Sequence, residues 1–197
     1  AAMNMMIRDI RRAGHWGQVV KDDPNNPFSV EGGSNQTNLD IVSSNCIQYT
    51  YDLDGNGIVS QTTEHFGFRL NNGAIQMRTG AGTKTDVCPN GTWEDITDKD
   101  IIEITALTFE TAGSKCLNST STASPQTNWS ITAANSTSFP CLDSTGTGYS
   151  APTSGDVLIE TRHVLVKLDG RLKIDTNITK QLEESIRVRN ERVHLVP

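Results

Sequence analysis

The feature that most constrains this chain is its opening stretch, AAMNMMIRDIRRAGHWG. Residues 3–13 read as a helix. At about 100° per residue, Met3, Met6, Ile7, Ile10 and Ala13 share one arc of about 120°, and Arg8, Asp9, Arg11 and Arg12 take the other side. Arg11 and Arg12 stand in the last turn, where cations complement the helix dipole, and Gly14 can close it. A helix this short is marginal alone, so its apolar stripe must dock on a larger body. The plain reading is an N-terminal docking helix. The chain begins in mid-pattern without a start Met, and the expectation is that something upstream was cut away.

The larger body should be antiparallel sheet. Ile47, Tyr49 and Tyr51 alternate with Gln48 and Thr50, the period-2 pattern of a half-buried strand. Residues 65–79 read as a hairpin: Phe66, Phe68 and Leu70 share one face, Ile75 and Met77 continue it, and Asn72-Gly73 suits a type I′ turn. Trp93-Glu-Asp-Ile-Thr-Asp reads as a turn, and Ile101 to Phe109, apolar on both faces, as a strand central to its sheet. Val164, Val166 and Leu168 alternate with His163, Leu165 and Lys167, and Asp169-Gly170 reads as a second hairpin turn. Residues 181–190 read as a last strand, with a helical Lys180–Ser185 as the alternative, and 190–197 as a tail.

Two segments lack periodicity. Residues 21–38 are turn chemistry. Residues 111–155 are mostly Ser, Thr, Asn, Gly and Pro with almost no charge and few large apolar side chains, among them Trp129, Ile131, Phe139 and Leu142. Such a segment cannot order itself by burial alone. The four cysteines, Cys46, Cys88, Cys116 and Cys141, form no CxxC pair, which argues for disulfides in an oxidising compartment rather than zinc. Three pairings are open. Cys46–Cys88 with Cys116–Cys141 is preferred, because the second bridge would close the low-complexity segment as a loop. An exposed closed loop carrying Trp129 and Phe139 is a candidate recognition surface, and a surface insertion without a partner is the plain alternative.

The sharpest chemical motif is Asp52-Leu-Asp-Gly-Asn-Gly-Ile. Asp52, Asp54 and Asn56 occupy alternate ligand positions of an EF-hand-like calcium loop, Gly57 takes the sharp turn, and Ile58 would offer a carbonyl. The twelfth position is Thr63, so the carboxylate of Glu64 comes one residue late, and strands rather than helices flank the loop. The competing reading is a Gly-rich hairpin loop whose Asx side chains bond their own backbone.

Composition excludes other classes. The formal net charge is −6, which argues against nucleic acid or an anionic membrane surface as partner. No apolar run is long enough to span a bilayer. GxSxG and HExxH are absent, and His15, His65, His163 and His194 stand in unrelated contexts. Glu64-His65 and Glu160…His163 could be written as acid–base pairs, but both fit ordinary strand residues better, so the chain is expected not to be an enzyme. Six N-x-[ST] sequons, at Asn35, Asn90, Asn118, Asn128, Asn135 and Asn177, would mean glycosylation in a eukaryotic secreted protein, and the plain alternative is that Asn, Ser and Thr are simply abundant.

The stretch MMIRDIRRAGHWG resembles the end of the long N-terminal helix of PilW-type minor pilins, relatives of the J-type pseudopilins of type II secretion. Further matches follow in order at Cys46-Ile-Gln-Tyr-Thr-Tyr, Phe66-Gly-Phe-Arg-Leu, Trp93-Glu-Asp-Ile-Thr-Asp, Ile102-Glu-Ile-Thr-Ala-Leu-Thr-Phe and Ile186-Arg-Val-Arg-Asn. The resemblance spans roughly 1–110 and 157–190 and leaves 111–155 private to this chain. It implies a single α+β domain over 1–197, a pilin-like head with its amphipathic helix packed on antiparallel sheet and its upstream apolar helix removed. It also implies a structural role in a type IV pilus, or in an MSHA-like or pseudopilus relative. The partners would be other pilin subunits, through the helix and the head faces. The inner membrane would be held through the missing helix before assembly, and a surface receptor or glycan could be bound at the tip. The location would be the periplasm and the bacterial surface. The competing class is a secreted calcium-dependent adhesive or carbohydrate-binding module, which needs a metal at Asp52–Ile58 and an exposed Trp129 or Trp93. A secreted hydrolase stands behind both.

Overall fold

The computed structural model describes residues 1–18, 26–30, 37–78, 88, 91–111, 113–119, 129–130, 141 and 153–195. Among these there is one α-helix, α1 (Ala2–Ile10), and one short 3₁₀ turn, Pro27–Ser29. The rest of the regular structure is strand, in three antiparallel sheets. The α+β, pilin-like expectation is therefore corrected: the fold is mainly β, with one nine-residue helix at the N-terminus. The reason lies in stretches that read as turn or tail and are in fact paired strand. No described helix is long and apolar enough to cross a membrane.

The first sheet is a five-stranded meander, β1 (Asp40–Ser43), β2 (Cys46–Thr50), β3 (His65–Asn71), β4 (Ala74–Arg78) and β5 (Trp93–Asp95). Its β3–β4 hairpin turns through Asn72 and Gly73, with φ of 48° and 77°. Both angles are positive, as a type I′ turn requires, and only Asn and Gly adopt them readily. Trp93, read as part of a turn, opens β5 and pairs with Arg78.

The second sheet has the order β11 (Thr179–Arg187), β10 (His163–Leu172), β6 (Ile102–Glu110). The apolar β6 lies at its margin, and the central strand is β10. Asp169 and Gly170 sit inside β10 at a bulge, so they are not the hairpin turn; the chain reverses at 173–178 instead. Residues 179–187 are strand because they pair with β10 along their whole length, which overrides the helix propensity of Lys180–Ser185. The third sheet runs β12 (Arg192–Leu195), β9 (Val157–Thr161), β7 (Lys115–Asn118), β8 (Trp129–Ser130). Its β12 is formed by residues read as tail.

One apolar core joins α1 to the first two sheets. Met6 and Ile10 are fully buried with Tyr49, Phe68, Phe109, Val164, Val166 and Ile186. Backbone bonds stitch the two sheets together, Phe109 N–H to Ser44 O at 2.7 Å and Ile104 N–H to Gly73 O at 2.9 Å. Two disulfides, Cys46–Cys88 and Cys116–Cys141, match the preferred pairing. The second ties β7 to Cys141, whose N–H donates to Glu160 Oε1 at 3.0 Å, while the buried Arg192 guanidinium lies 3.7 Å from Glu160 Oε2.

Candidate functional site: the junction between helix and sheets

The side chains of α1 divide as its sequence requires. Met3, Met6 and Ile10 are buried, as is Ala13 just beyond the helix, and Ile7 is partly buried against the same core. The polar side is engaged as well. Asp9 accepts from Tyr49 Oη at 2.6 Å and from Tyr51 Oη at 3.0 Å. Arg12 lies over the Tyr51 ring, 4.0 Å from its centroid, and also donates to Tyr51 Oη at 3.2 Å. Tyr51 stacks in turn on Phe66, with ring centroids 4.0 Å apart. Burial, reinforced by the neighbouring Asp9 carboxylate, pushes the pKa of both phenols up, so each keeps the proton it donates.

The carboxyl end of the helix is capped from far away in the chain. The last carbonyls of a helix lack intrahelical partners. Here Arg189 N–H donates to Arg11 O at 3.1 Å, and Asn190 Nδ2 reaches Arg12 O at 3.4 Å and Ala13 O at 3.1 Å. Asn26 Nδ2 donates to Gly14 O at 2.7 Å. The fully buried Arg162 lies beneath, donating to Asn38 Oδ1 at 2.5 Å and to Asn190 O at 2.9 Å. Gly14 is required here: its φ is +71°, and a Cβ would stand 2.9 Å from Arg162 Nη2. A cation at this end also suits the helix dipole.

The Asp52 loop braces the same junction. After Gly14 the chain runs along β2, with Gly14 N–H bonded to Thr50 O at 2.8 Å and Asp52 N–H to His15 O at 2.9 Å. The buried Asp52 carboxylate accepts from Gly17, Gly55 and Gly57 N–H at 2.9, 2.7 and 3.0 Å. Burial opposes its ionisation, but these amides prevail and hold the carboxyl below its ordinary pKa. Carboxylate oxygens of Asp52, Asp54 and Glu64 lie within 4.8 Å of one another. Glu64 reaches that cluster from the 61–64 turn, accepting from Leu53 N–H at 2.8 Å and Ser60 N–H at 2.7 Å, so its late position in the sequence does not keep it away. Asn56 is turned differently, with Oδ1 on Ile58 N–H at 2.7 Å and Nδ2 on Asp54 Oδ2 at 2.8 Å. Ile58 is exposed.

The remaining candidates fall elsewhere. Trp129 belongs to the short strand beside Cys116, and its side chain lies outside the described residues, as do Phe139, Ile131 and Leu142. Trp93 is half-buried under the Arg69 guanidinium, 4.4 Å from its ring centroid. His65 is buried on β3, and Glu160 faces Arg192 and the Cys141 amide. In sequence, Asp9 shows only its place on the polar side of the helix, Tyr49 and Tyr51 only strand alternation and a motif match, and Asn190 only the end of another match, while Arg162 carries no signal. Their partners lie 40, 42, 124 and 178 residues away in sequence.

No curated protein and no solved structure matches the chain. Residues 1–188 match the family described as prepilin peptidase-dependent protein B. That match takes in α1, both disulfides and the junction apart from its capping residues Arg189 and Asn190, and the chain belongs to this family.

Proposed function

We propose that this chain is a minor pilin of the PilW type, a structural subunit of a type IV pilus or of an MSHA-like or pseudopilus relative, and not an enzyme. The family supports a pilus-related role in the cell envelope, with other pilus subunits as partners. The observation that carries the reading is the junction. A helix held by an apolar face, by two buried tyrosines and by a cap from residues 189–190 is fixed as a handle is fixed to a head. In a fibre whose subunits are joined through N-terminal helices, load on the helix reaches both sheets through these contacts. The disulfide-closed 111–155 segment is the part we assign to adhesion. The test is deletion of the gene in its host, with surface pili counted and the wild-type and Asp9→Ala chains returned. Loss of pili, restored by wild type and poorly by Asp9→Ala, supports the reading; unchanged piliation after deletion refutes it.

A second reading concerns the Asp52 loop, which we propose binds calcium, because three carboxylates converge there. All-oxygen donors suit that ion, and Asp52, Asp54 and Glu64 would hold it. Thermal unfolding in calcium and in EGTA decides. A rise in melting temperature that Asp54→Ala abolishes supports a site, and no shift at millimolar calcium leaves the loop as a brace for residues 14–17.

A further inference from the structure

The second sheet ends in an open edge. In an antiparallel pair, alternate residues of an edge strand bond to the neighbour and the others direct N–H and C=O outward. Leu172 N–H donates to Ile178 O at 3.0 Å, and Val188 N–H to Arg162 O at 3.0 Å, so the even-numbered residues of β11 face β10. Thr179, Gln181, Glu183, Ser185 and Arg187 therefore direct their backbone outward. The next odd residue, Arg189, does the same and is taken by Arg11 O. From 179 to 187 no such partner stands among the described residues, and every residue of the strand except Ile186 is exposed.

We infer that β11 pairs with β11 of a second copy, antiparallel and centred on Leu182. The charge pattern selects both partner and register. Centred on Leu182, a two-fold places Lys180 opposite Glu184 twice, Gln181 opposite Glu183, and Thr179 opposite Ser185. Centred on Glu183, that carboxylate meets itself and Lys180 meets Ile186. Centred on Gln181, Lys180 meets Leu182 and no charge is paired. Only the first register matches every charge on the even face. It also covers apolar surface. Leu182 and Ile178, 39% and 53% exposed, line an open groove of about 500 Å³ with Met3, Ile102 and Leu168. The partner's Leu182 would lie against its rim. Charges on an edge strand commonly serve to repel other strands; here their order makes the strand complementary to itself. The inference is independent of the pilus reading.

The test is sedimentation equilibrium of the whole chain from micromolar to millimolar concentration, with charge exchanges at exposed positions. The wild type should be a monomer–dimer equilibrium. Lys180→Glu and Glu184→Lys should each weaken the dimer at least about tenfold, since two attractive pairs become two repulsive ones. The double exchange Lys180→Glu with Glu184→Lys should restore it. Leu182 would face its copy as a non-hydrogen-bonded pair, about 4.5 Å between Cα atoms, so Leu182→Cys should form an intermolecular disulfide on mild oxidation and Ser185→Cys should not. A wild type that stays monomeric throughout, a dimer indifferent to the single exchanges, or a double exchange that fails to restore would each overturn the inference.

Discussion

The two ends of α1 meet opposite surroundings. At the carboxyl end, four successive backbone carbonyls, from Arg11 to Gly14, accept donors from residues 26, 189 and 190, with a buried guanidinium below. At the amino end, Ala1, Ala2 and Met3 line an apolar opening instead. There the helix opens onto a groove whose rim includes the exposed Ile101, Ile102 and Ile178. Polar donors fix direction, because each bond has a required geometry; apolar surface fixes only that something be covered. The head thus determines where the helix enters and leaves the other end unspecified.

The difference can be broken most strongly by apolar truncation. Ile10→Ala, at the closed end, should cost about 2–5 kcal/mol in denaturant unfolding, while Ile178→Ala, at the open end, should stay within about 0.5 kcal/mol. Removing Asp9 comes next. Asp9→Ala leaves the buried Tyr49 hydroxyl without its acceptor and should cost about 1–3 kcal/mol, part of which Tyr49→Phe in the same background should return. Asn190→Ala removes the donor to Arg12 O and Ala13 O and should cost about 0.5–1.5 kcal/mol.

pH gives the smallest but most diagnostic effects. The folded pKa values of Tyr49 and Tyr51 are raised, so their contribution is complete below the ordinary tyrosine value of about 10 and is lost as pH rises beyond it. Asp52 has a lowered folded pKa, so its contribution is present above about pH 3.9 and is lost as pH falls from there through the folded value. Unfolding titrations should show both slopes. Tyr49→Phe should flatten the alkaline one and Asp52→Asn the acid one.

Local signals were legible in the sequence where one residue type satisfies one local demand. The 3.6-residue stripe that places Met3, Met6 and Ile10 inside, the Asn72-Gly73 turn and the closing Gly14 are of this kind. So is the bracketing of a low-complexity segment by Cys116 and Cys141. The fold class was not legible, because part of the strand content was carried by segments without a strand pattern: β12 reads as tail and β5 as a turn. Asp169-Gly170 has turn chemistry, yet pairing on both sides draws it into β10. The junction's polar half was hidden for another reason. Tyr49 and Asp9, or Asn190 and Arg12, meet only after the sheets are assembled, and nothing in either local sequence specifies the other.

Amide hydrogen exchange along the helix and its clasp tests the closed-end, open-end contrast most directly. The amides of Gly14, Arg189 and Asp52, bonded to Thr50 O, Arg11 O and His15 O, should exchange only through global unfolding. In the chain of residues 1–197, the amide of Met5, bonded to Ala1 O in the turn beside the open groove, should exchange far faster through local opening. Equal protection of Met5 and Gly14, or rapid exchange of Gly14 and Arg189, would contradict a helix clasped at its carboxyl end.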